Sequence, residues 1–391
     1  MKSFNVYQPT EIRFGLGRLN EIGSVVKIYG QRCLLVTGHT SQSKYVLYDK
    51  VKQQLKEAGV QVFHFDKVIT NPTTDIVKEG VRLAAETNVN VVVGLGGGSS
   101  IDTAKAIAVG VTHTGSIWDY RIFGSKEITS KTLPIIAIPT TSGTGSHVTP
   151  VAVITNPAEN FKSALISPFL CPRVCIVDPQ LMLTVPKYMT AATGFDAFAH
   201  AFESYIHIKS SFYTDLLARE AIRLIIKYLP KAVKDGTDLE ARTWLAWADT
   251  LAGICISNAG TVLPHGIAMA IGGHAPKVHH GEALAAIYLE CMSFSCDSSP
   301  EKFATLGRML NPELEKAPDL VAARKSVEEM KKFLRTIDLY VDLKSLGVSK
   351  NELNAIAEDS MKLPDYQVNP RVPTFDDVLA ILEQSYERKT I

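Results

Sequence analysis

Asp196, His200, His265 and His280 are the residues whose types and spacing speak most directly of chemistry. Asp196 and His200 stand four apart in Gly194-Phe195-Asp196-Ala197-Phe198-Ala199-His200-Ala201-Phe202-Glu203, a run of helix formers. That spacing puts a carboxylate and an imidazole one turn apart on the same helical face. Val262-Leu263-Pro264-His265-Gly266 and Val278-His279-His280-Gly281-Glu282 add further imidazoles, each motif closing on a glycine that lets backbone or ligand approach. One carboxylate with three neutral imidazoles suits a divalent first-row cation and leaves part of its charge for an anionic oxygen. Taken alone, Asp196 and His200 would serve as well as a hydrogen-bonded pair on a helix surface. The first half of the chain turns the balance toward a metal centre.

That half carries a cradle for a pyrophosphate. Val91-Val92-Val93, a β-branched run of the kind found in buried parallel strands, leads into Gly94-Leu95-Gly96-Gly97-Gly98-Ser99-Ser100 and then into a helical pattern from Ile101. Glycines at a strand-to-helix turn let backbone N–H groups meet phosphate oxygens at the positive end of a helix. Ser99 stands where a dinucleotide fingerprint has its last glycine, so the motif alone is weak. A second apolar run, Leu133-Pro134-Ile135-Ile136-Ala137-Ile138, feeds a second polar loop, Pro139-Thr140-Thr141-Ser142-Gly143-Thr144-Gly145-Ser146. Two such loops after two strands fit the rule that open α/β sheets bind ligands at the carboxyl ends of their strands.

With these motifs in this order, the chain resembles the iron-containing (group III) alcohol dehydrogenase family, from Phe14-Gly15 to Asn369-Pro370-Arg371. The resemblance implies a divalent metal, iron(II) with zinc as the alternative, a nicotinamide cofactor, and reversible conversion of an alcohol to an aldehyde or ketone. Carried over residue by residue, Asp196, His200, His265 and His280 hold the metal, and Gly97, Gly98 and Ser99 hold the pyrophosphate. Asp102, Thr140, Thr141, Thr149 and Lys162 line the ribose and nicotinamide side. Without the resemblance, Asp102 reads as an acid stabilising a helix N-terminus, and Lys162 as a solvated surface lysine. The spacing from His265 to the second His-Gly pair is one residue longer than in many relatives, so His279 rivals His280; Gly281 aligns the motif on His280.

The elements that must position these residues change character once along the chain. Strand patterns at 33–37, 60–65, 90–95, 133–138, 151–155 and 174–178 alternate with helical patterns at 43–58, 74–86 and 100–109, as in a doubly wound sheet. Beyond Asp178-Pro179 the strands stop, and 215–229, 239–257, 281–296, 318–337 and 350–361 are apolar at helical spacing. The expected fold is an α/β dinucleotide-binding domain over 1–184 and an all-helical metal-binding and substrate domain over 185–391, in a dehydroquinate synthase-like arrangement. Because the metal ligands fall in one half and the phosphate loops in the other, hydride transfer places the expected active site in the cleft between them.

Composition narrows the class further. A chain of 391 residues is long for one core. A net charge of +1 with interspersed signs gives no stripe for nucleic acid. Six cysteines without a Cys-x-x-Cys pair disfavour a zinc ribbon, and no segment has the apolar length of a signal peptide or a membrane span. A cytoplasmic enzyme assembled as a homodimer or higher homo-oligomer is expected.

Cofactor choice and substrate follow from two departures from the family pattern. NAD-preferring relatives commonly carry an aspartate where Gly38 ends the first strand; its absence lifts the repulsion of a 2′-phosphate, and His39-Thr40-Ser41 offers donors. NADP(H) is therefore expected over NAD(H). Met269 replaces a second, non-ligating histidine four residues after His265, with His274 or His279 as substitutes. Met269, Phe195 and Phe198, with no arginine among the ligand motifs, predict a pocket for small neutral aldehydes and primary alcohols. The alternative is a glycerol dehydrogenase-like polyol oxidoreductase of the same fold. A phosphate-eliminating synthase would need a basic cluster that the ligand motifs lack, and a regulatory protein that only senses metal would not need four ligands.

Overall fold

The computed structural model describes residues 3–38 and 42–388. The chain divides into two compact units, Gln8–Thr184 and Val185–Ile391 together with Met1–Tyr7.

The first unit is built on strands β1 (Glu11–Phe14), β2 (Arg32–Gly38), β3 (Gln61–Val68), β4 (Val91–Gly96), β5 (Ile135–Pro139), β6 (Val151–Asn156), β7 (Phe161–Ile166) and β8 (Val174–Val177). Its helices are α1 (Ile22–Tyr29), α2 (Gln42–Glu57), α3 (Thr74–Glu86) and α4 (Gly98–Gly110). Six strands form one sheet in the order β1-β8-β5-β4-β2-β3, every neighbouring pair parallel. Leu34, Val36 and Val92 face one apolar layer with Val77 and Ile107, whereas Leu35, Val91 and Val93 face the other with Val25 and Val51. Burial on both faces explains why these strands read as continuous apolar runs rather than alternating ones.

The chain runs from β2 outward to β3, then returns past β2 to β4 and proceeds the other way. The direction of winding reverses between β2 and β4, and ligands of open α/β sheets sit at the strand ends beside such a switch point. Gly38 closes β2, and the glycine loop follows β4. The segment at 151–155, expected to join this sheet, instead forms β6 of a separate antiparallel hairpin with β7. Strand identity is local, but sheet membership depends on a partner far along the chain, and β7 lacks a clear apolar alternation.

The second unit is helical: α5 (Lys187–Ile206), α6 (Phe212–Lys234), α7 (Leu239–Asn258), α8 (Leu263–His274), α9 (His280–Ser295), α10 (Pro300–Leu310), α11 (Asp319–Thr336), α12 (Leu353–Ser360) and α13 (Phe375–Glu387). Helix α5 is central: every residue from Gly194 to Ile206 is buried, and the helix packs against α6, α7 and α9. A helix buried all round must satisfy its polar side chains internally or with a ligand. Among the described residues no single helix is long and apolar enough to cross a membrane.

Candidate functional site

Helix α5 presents Asp196, His200 and Glu203 from successive turns. Asp196 Oδ1 is the focus of the cluster. It lies 3.8 Å from His200 Nε2, 3.6 Å from His265 Nε2 and 3.8 Å from His280 Nε2. Asp196, His265 and His280 bring one donor atom each within 4.8 Å of one another, and the His200 ring stacks on that of His265 with centroids 4.6 Å apart. Ligands about 2.0–2.2 Å from a common ion are separated by roughly 3–3.5 Å, so small adjustments would bring the four side chains onto one cation.

Two of these atoms are otherwise unexplained. Asp196 Oδ1 and His265 Nε2 are buried and have no hydrogen-bond partner among the described residues. A buried polar atom without a partner costs about 1–3 kcal/mol, which a bound ion would offset. Burial opposes charge on Asp196, yet the surrounding imidazoles of His200, His265 and His280 outweigh it and hold the carboxyl down at about 2. Burial likewise opposes charge on His265, but Glu203 and Asp196 push its imidazole up to about 10. The negative field that draws a proton onto this ring is one that would hold a metal ion in the proton's place. The residues present fit a divalent metal.

His265 and His280 owe their positions to close packing at the glycine that follows each. A Cβ at Gly281 would lie 2.0 Å from the carbonyl oxygen of Ala192, so the start of α9 rests directly on the backbone of α5. At Gly266 a Cβ would sit 3.1 Å from Asp365 Cβ, and the Asp365 carboxylate accepts a hydrogen bond from Thr261 Oγ1 at 2.7 Å. His279 precedes α9, its N–H donating to Glu282 Oε2 at 3.2 Å and its ring set edge-on to Tyr188. The geometry thus favours His280 over His279 as the ligand.

Glu203 is a candidate site residue that motif reading missed. It is fully buried; its Oε1 lies 2.7 Å from His265 Nδ1, and its Oε2 accepts the Val262 N–H at 2.9 Å. Its position three residues after His200, on the same helical face, was the available signal. Phe195 and Phe198, expected beside the substrate, are wholly buried. They stack on each other and meet Tyr288 edge-on, inside the helical core. Met269 remains half-buried one turn beyond His265. His274 ends α8 with its Nε2 2.8 Å from Asp359 Oδ2, so it is committed elsewhere.

In the α/β unit, α4 starts at Gly98 with no side-chain cap from Gly97, at the carboxyl end of β4. An uncapped helix start at that end of a parallel strand presents N–H groups and a positive dipole to an anion. Gly96 has φ +150°, and a Cβ at Gly98 would lie 2.6 Å from Thr144 Cγ2 in the second loop. Only glycines let the two loops approach so closely. Gly97, Ser99, Thr140 and Thr141 are half-buried, whereas Thr149 is buried. This cradle fits a pyrophosphate.

The remaining carried-over residues are engaged internally. Asp102 accepts hydrogen bonds from Ser146 Oγ and, at 3.0 Å, from the Val153 N–H. Thr149 accepts from Lys105 Nζ through its carbonyl at 2.8 Å and its hydroxyl at 3.3 Å. Lys162 is buried rather than solvated and donates to Asn71 Oδ1 at 2.9 Å. Gly38 ends β2, where a Cβ would meet only Val68 O at 3.5 Å, an ordinary contact. His39, Thr40 and Ser41 lie outside the described residues.

Two family profiles cover the chain: iron-containing alcohol dehydrogenase over residues 9–179, and the Fe-containing alcohol dehydrogenase family, C-terminal, over residues 190–386. The chain belongs to the iron-containing alcohol dehydrogenase family. It is similar to the choline dehydrogenase of Bacillus subtilis (strain 168), 36% identical over 95% of this chain and 92% of that one. It is also similar to the NAD-dependent methanol dehydrogenase of Bacillus methanolicus, 33% identical over 97% and 99%. The solved structure of an archaeal halo-thermophilic Red Sea brine pool alcohol dehydrogenase superimposes with a TM-score of 0.93 at 37% identity, over 98% of this chain and all (100%) of that one. As a member of the iron-containing family, the protein is a metal-binding oxidoreductase, an NAD(P)-linked alcohol dehydrogenase and aldehyde reductase acting on small alcohols and aldehydes.

Proposed function

We propose that Asp196, His200, His265 and His280 hold the metal, iron(II) in preference to zinc, and that Gly97, Gly98 and Ser99 take the pyrophosphate of the cofactor. The observation that carries the metal reading is the buried, unpartnered Asp196 Oδ1 with imidazole nitrogens at 3.6–3.8 Å on three sides. Thr140 and Thr141 contact the ribose and nicotinamide side, while Asp102, Thr149 and Lys162 shape it through their internal hydrogen bonds. When bound, the metal supplies Lewis acidity that lowers the pKa of an alcohol and polarises a carbonyl, and the nicotinamide supplies the hydride chemistry. The protein's own part is positional. Asp196 fixes the acceptor at the centre of the ligand set, Glu203 holds the Nδ1 side of His265, and the uncapped start of α4 neutralises the pyrophosphate.

NADP(H) is the preferred cofactor. Gly38 stands at the switch point without a left-handed φ and with room for a side chain, so the backbone does not require glycine there. What its absence of side chain provides is space and the lack of a carboxylate facing a 2′-phosphate. The Bacillus methanolicus relative is named for NAD, the cofactor that an aspartate at this position would favour.

The substrates are small neutral aldehydes and primary alcohols. Asp196, Glu203 and Asp365 all interact electrostatically with His265, and this negative surround disfavours anionic substrates. The names of the two relatives, for choline and for methanol, differ in substrate, and Met269, half-buried one turn beyond His265, is the side chain we assign to specificity in this chain. All six cysteines carry free thiols, which suits a cytoplasmic location. Phe123 and Ile166, exposed on neighbouring segments, give an apolar surface that a homodimer or larger homo-oligomer would cover.

The test is a coupled assay of aldehydes, ketones and polyols with NADPH and NADH on iron(II)-loaded protein, before and after chelation. Activity confined to the loaded protein, with short neutral aldehydes turned over fastest, is the expected result. Full activity after complete metal removal would end the metal reading, and a preference for an anionic substrate would end the substrate reading.

A further inference from the structure

We propose that Glu203 is a positioning residue of the metal centre, one that fixes the tautomer of His265 and thereby sets metal affinity. The inference rests on the proposed ligand set. A neutral imidazole carries its proton on one nitrogen only, and whichever nitrogen is protonated cannot ligate. Glu203 Oε1, 2.7 Å from His265 Nδ1, is an acceptor, so it keeps a proton on Nδ1 and leaves Nε2, 3.6 Å from Asp196 Oδ1, as the nitrogen that gives up its proton to a metal. The carboxylate is itself immobile. It is fully buried on α5, and its second oxygen is held by the N–H of Val262, three residues before His265. A single side chain therefore joins the helix that carries Asp196 and His200 to the turn that delivers His265.

His265 is the ligand that needs this arrangement. Its Nε2 is buried without a hydrogen-bond partner among the described residues and faces Asp196 Oδ1 at 3.6 Å, where the ion would sit. A carboxylate behind a ligating imidazole also makes it a stronger donor, and loss of such a partner weakens metal binding by about 10–100-fold. Buried carboxylates that serve only the fold have no reason to share one imidazole between themselves and a cation site.

The variant to make is Glu203→Gln, which keeps the shape and one acceptor oxygen but cannot accept from both His265 and Val262. Zinc affinity is read by chelator competition. The expected result is a weakening of about 10–100-fold. Thermal unfolding of the metal-free variant and its nicotinamide cofactor affinity should stay close to wild type, and the visible bands of the cobalt(II)-substituted protein should shift. Unchanged zinc affinity and unchanged cobalt bands would overturn the proposal. His265→Ala, made alongside, separates the two levels. If it retains full metal affinity, the ligand set itself is wrong; if it loses metal while Glu203→Gln does not, only the role of Glu203 is wrong. Should Glu203→Gln fail to fold, wild-type protein decides. In zinc-loaded enzyme labelled with nitrogen-15 histidine, His265 should carry its proton on Nδ1 and ligate through Nε2, and the opposite tautomer refutes the assignment.

Discussion

Two buried polar clusters, one in each unit, look alike in composition and differ in what they lack. Around Asp196, a carboxylate oxygen and an imidazole nitrogen are sealed from water with no hydrogen-bond partner among the described residues. Around Asp102, carboxylate oxygens take Ser146 and Val153 donors, and the wholly buried Lys105 donates to Thr149 O, Thr149 Oγ1 and Val151 O at 2.7–3.3 Å. The first cluster leaves two polar atoms that a bound ion would satisfy. The second is complete as it stands, tying α4 to β6 and to the second loop. Residue type alone does not separate a ligand-binding cluster from a structural one; the accounting of hydrogen bonds does.

The largest effect that would sharpen this contrast is expected at the ligands. His200→Ala or His265→Ala should abolish metal binding and turnover while the fold persists. Metal analysis beside circular dichroism checks this, and a fully metallated His200→Ala protein would remove that residue from the set. Lys105→Met should do the reverse. It removes the buried positive charge beside Asp102 and leaves the Thr149 and Val151 carbonyls without their donor, so the protein should lose about 3–5 kcal/mol of stability with its metal content unchanged. Chemical denaturation measures the loss, and a cost below about 1 kcal/mol would mean that the second cluster is not the structural element described above.

A smaller effect is expected from pH, and its sign follows from His265. In metal-free protein its imidazole is pushed up to about 10 from an ordinary value of 6.5. A raised folded-state value contributes stability that is fully present below about pH 6.5 and is lost as pH rises through about 10. Metal takes the proton's place, so the loaded protein has no such contribution to lose. The gap in unfolding temperature between loaded and metal-free protein should therefore widen from pH 6.5 to pH 9 at constant free metal; a constant gap would count against protonation of His265. Smallest is Gly38→Asp, expected to shift the NADPH-to-NADH ratio of catalytic efficiencies by about tenfold toward NADH, a change of about 1.4 kcal/mol. No shift in that ratio would remove Gly38 from cofactor choice.

Much of this molecule is written in short-range pattern. Strands β2, β4, β5 and β8 are apolar on both faces, and α2, α3 and α4 fall between strands with helical periodicity, so their places could be read from the chain. Strand β1 could not: Glu-Ile-Arg-Phe is too short and polar to stand out, and it becomes a strand because β8 offers a parallel edge. Helix α8 was hidden by its glycines at 266, 272 and 273, which weaken helix propensity but permit close packing. Phe195 and Phe198 show the limit from the other side. They flank Asp196 in sequence, yet helix geometry turns both into the aromatic core with Tyr288. At the site, ligand types and spacing were legible, whereas the service of Glu203 to His265 was not, because that partnership spans 62 positions in sequence and exists only in three dimensions.

The absent side chain at Gly281 gives the metal centre a fixed jaw. Because main chain rests on main chain between the start of α9 and Ala192, the backbones that carry Asp196 and His280 are held at a fixed separation. An ion needing longer bonds would be met by rotation of the Asp196 and His280 side chains rather than by movement of the two helices. Exchange of one metal for another in this enzyme should then be felt as a change in how many of the four side chains reach the ion, not as a uniform stretching of all of them.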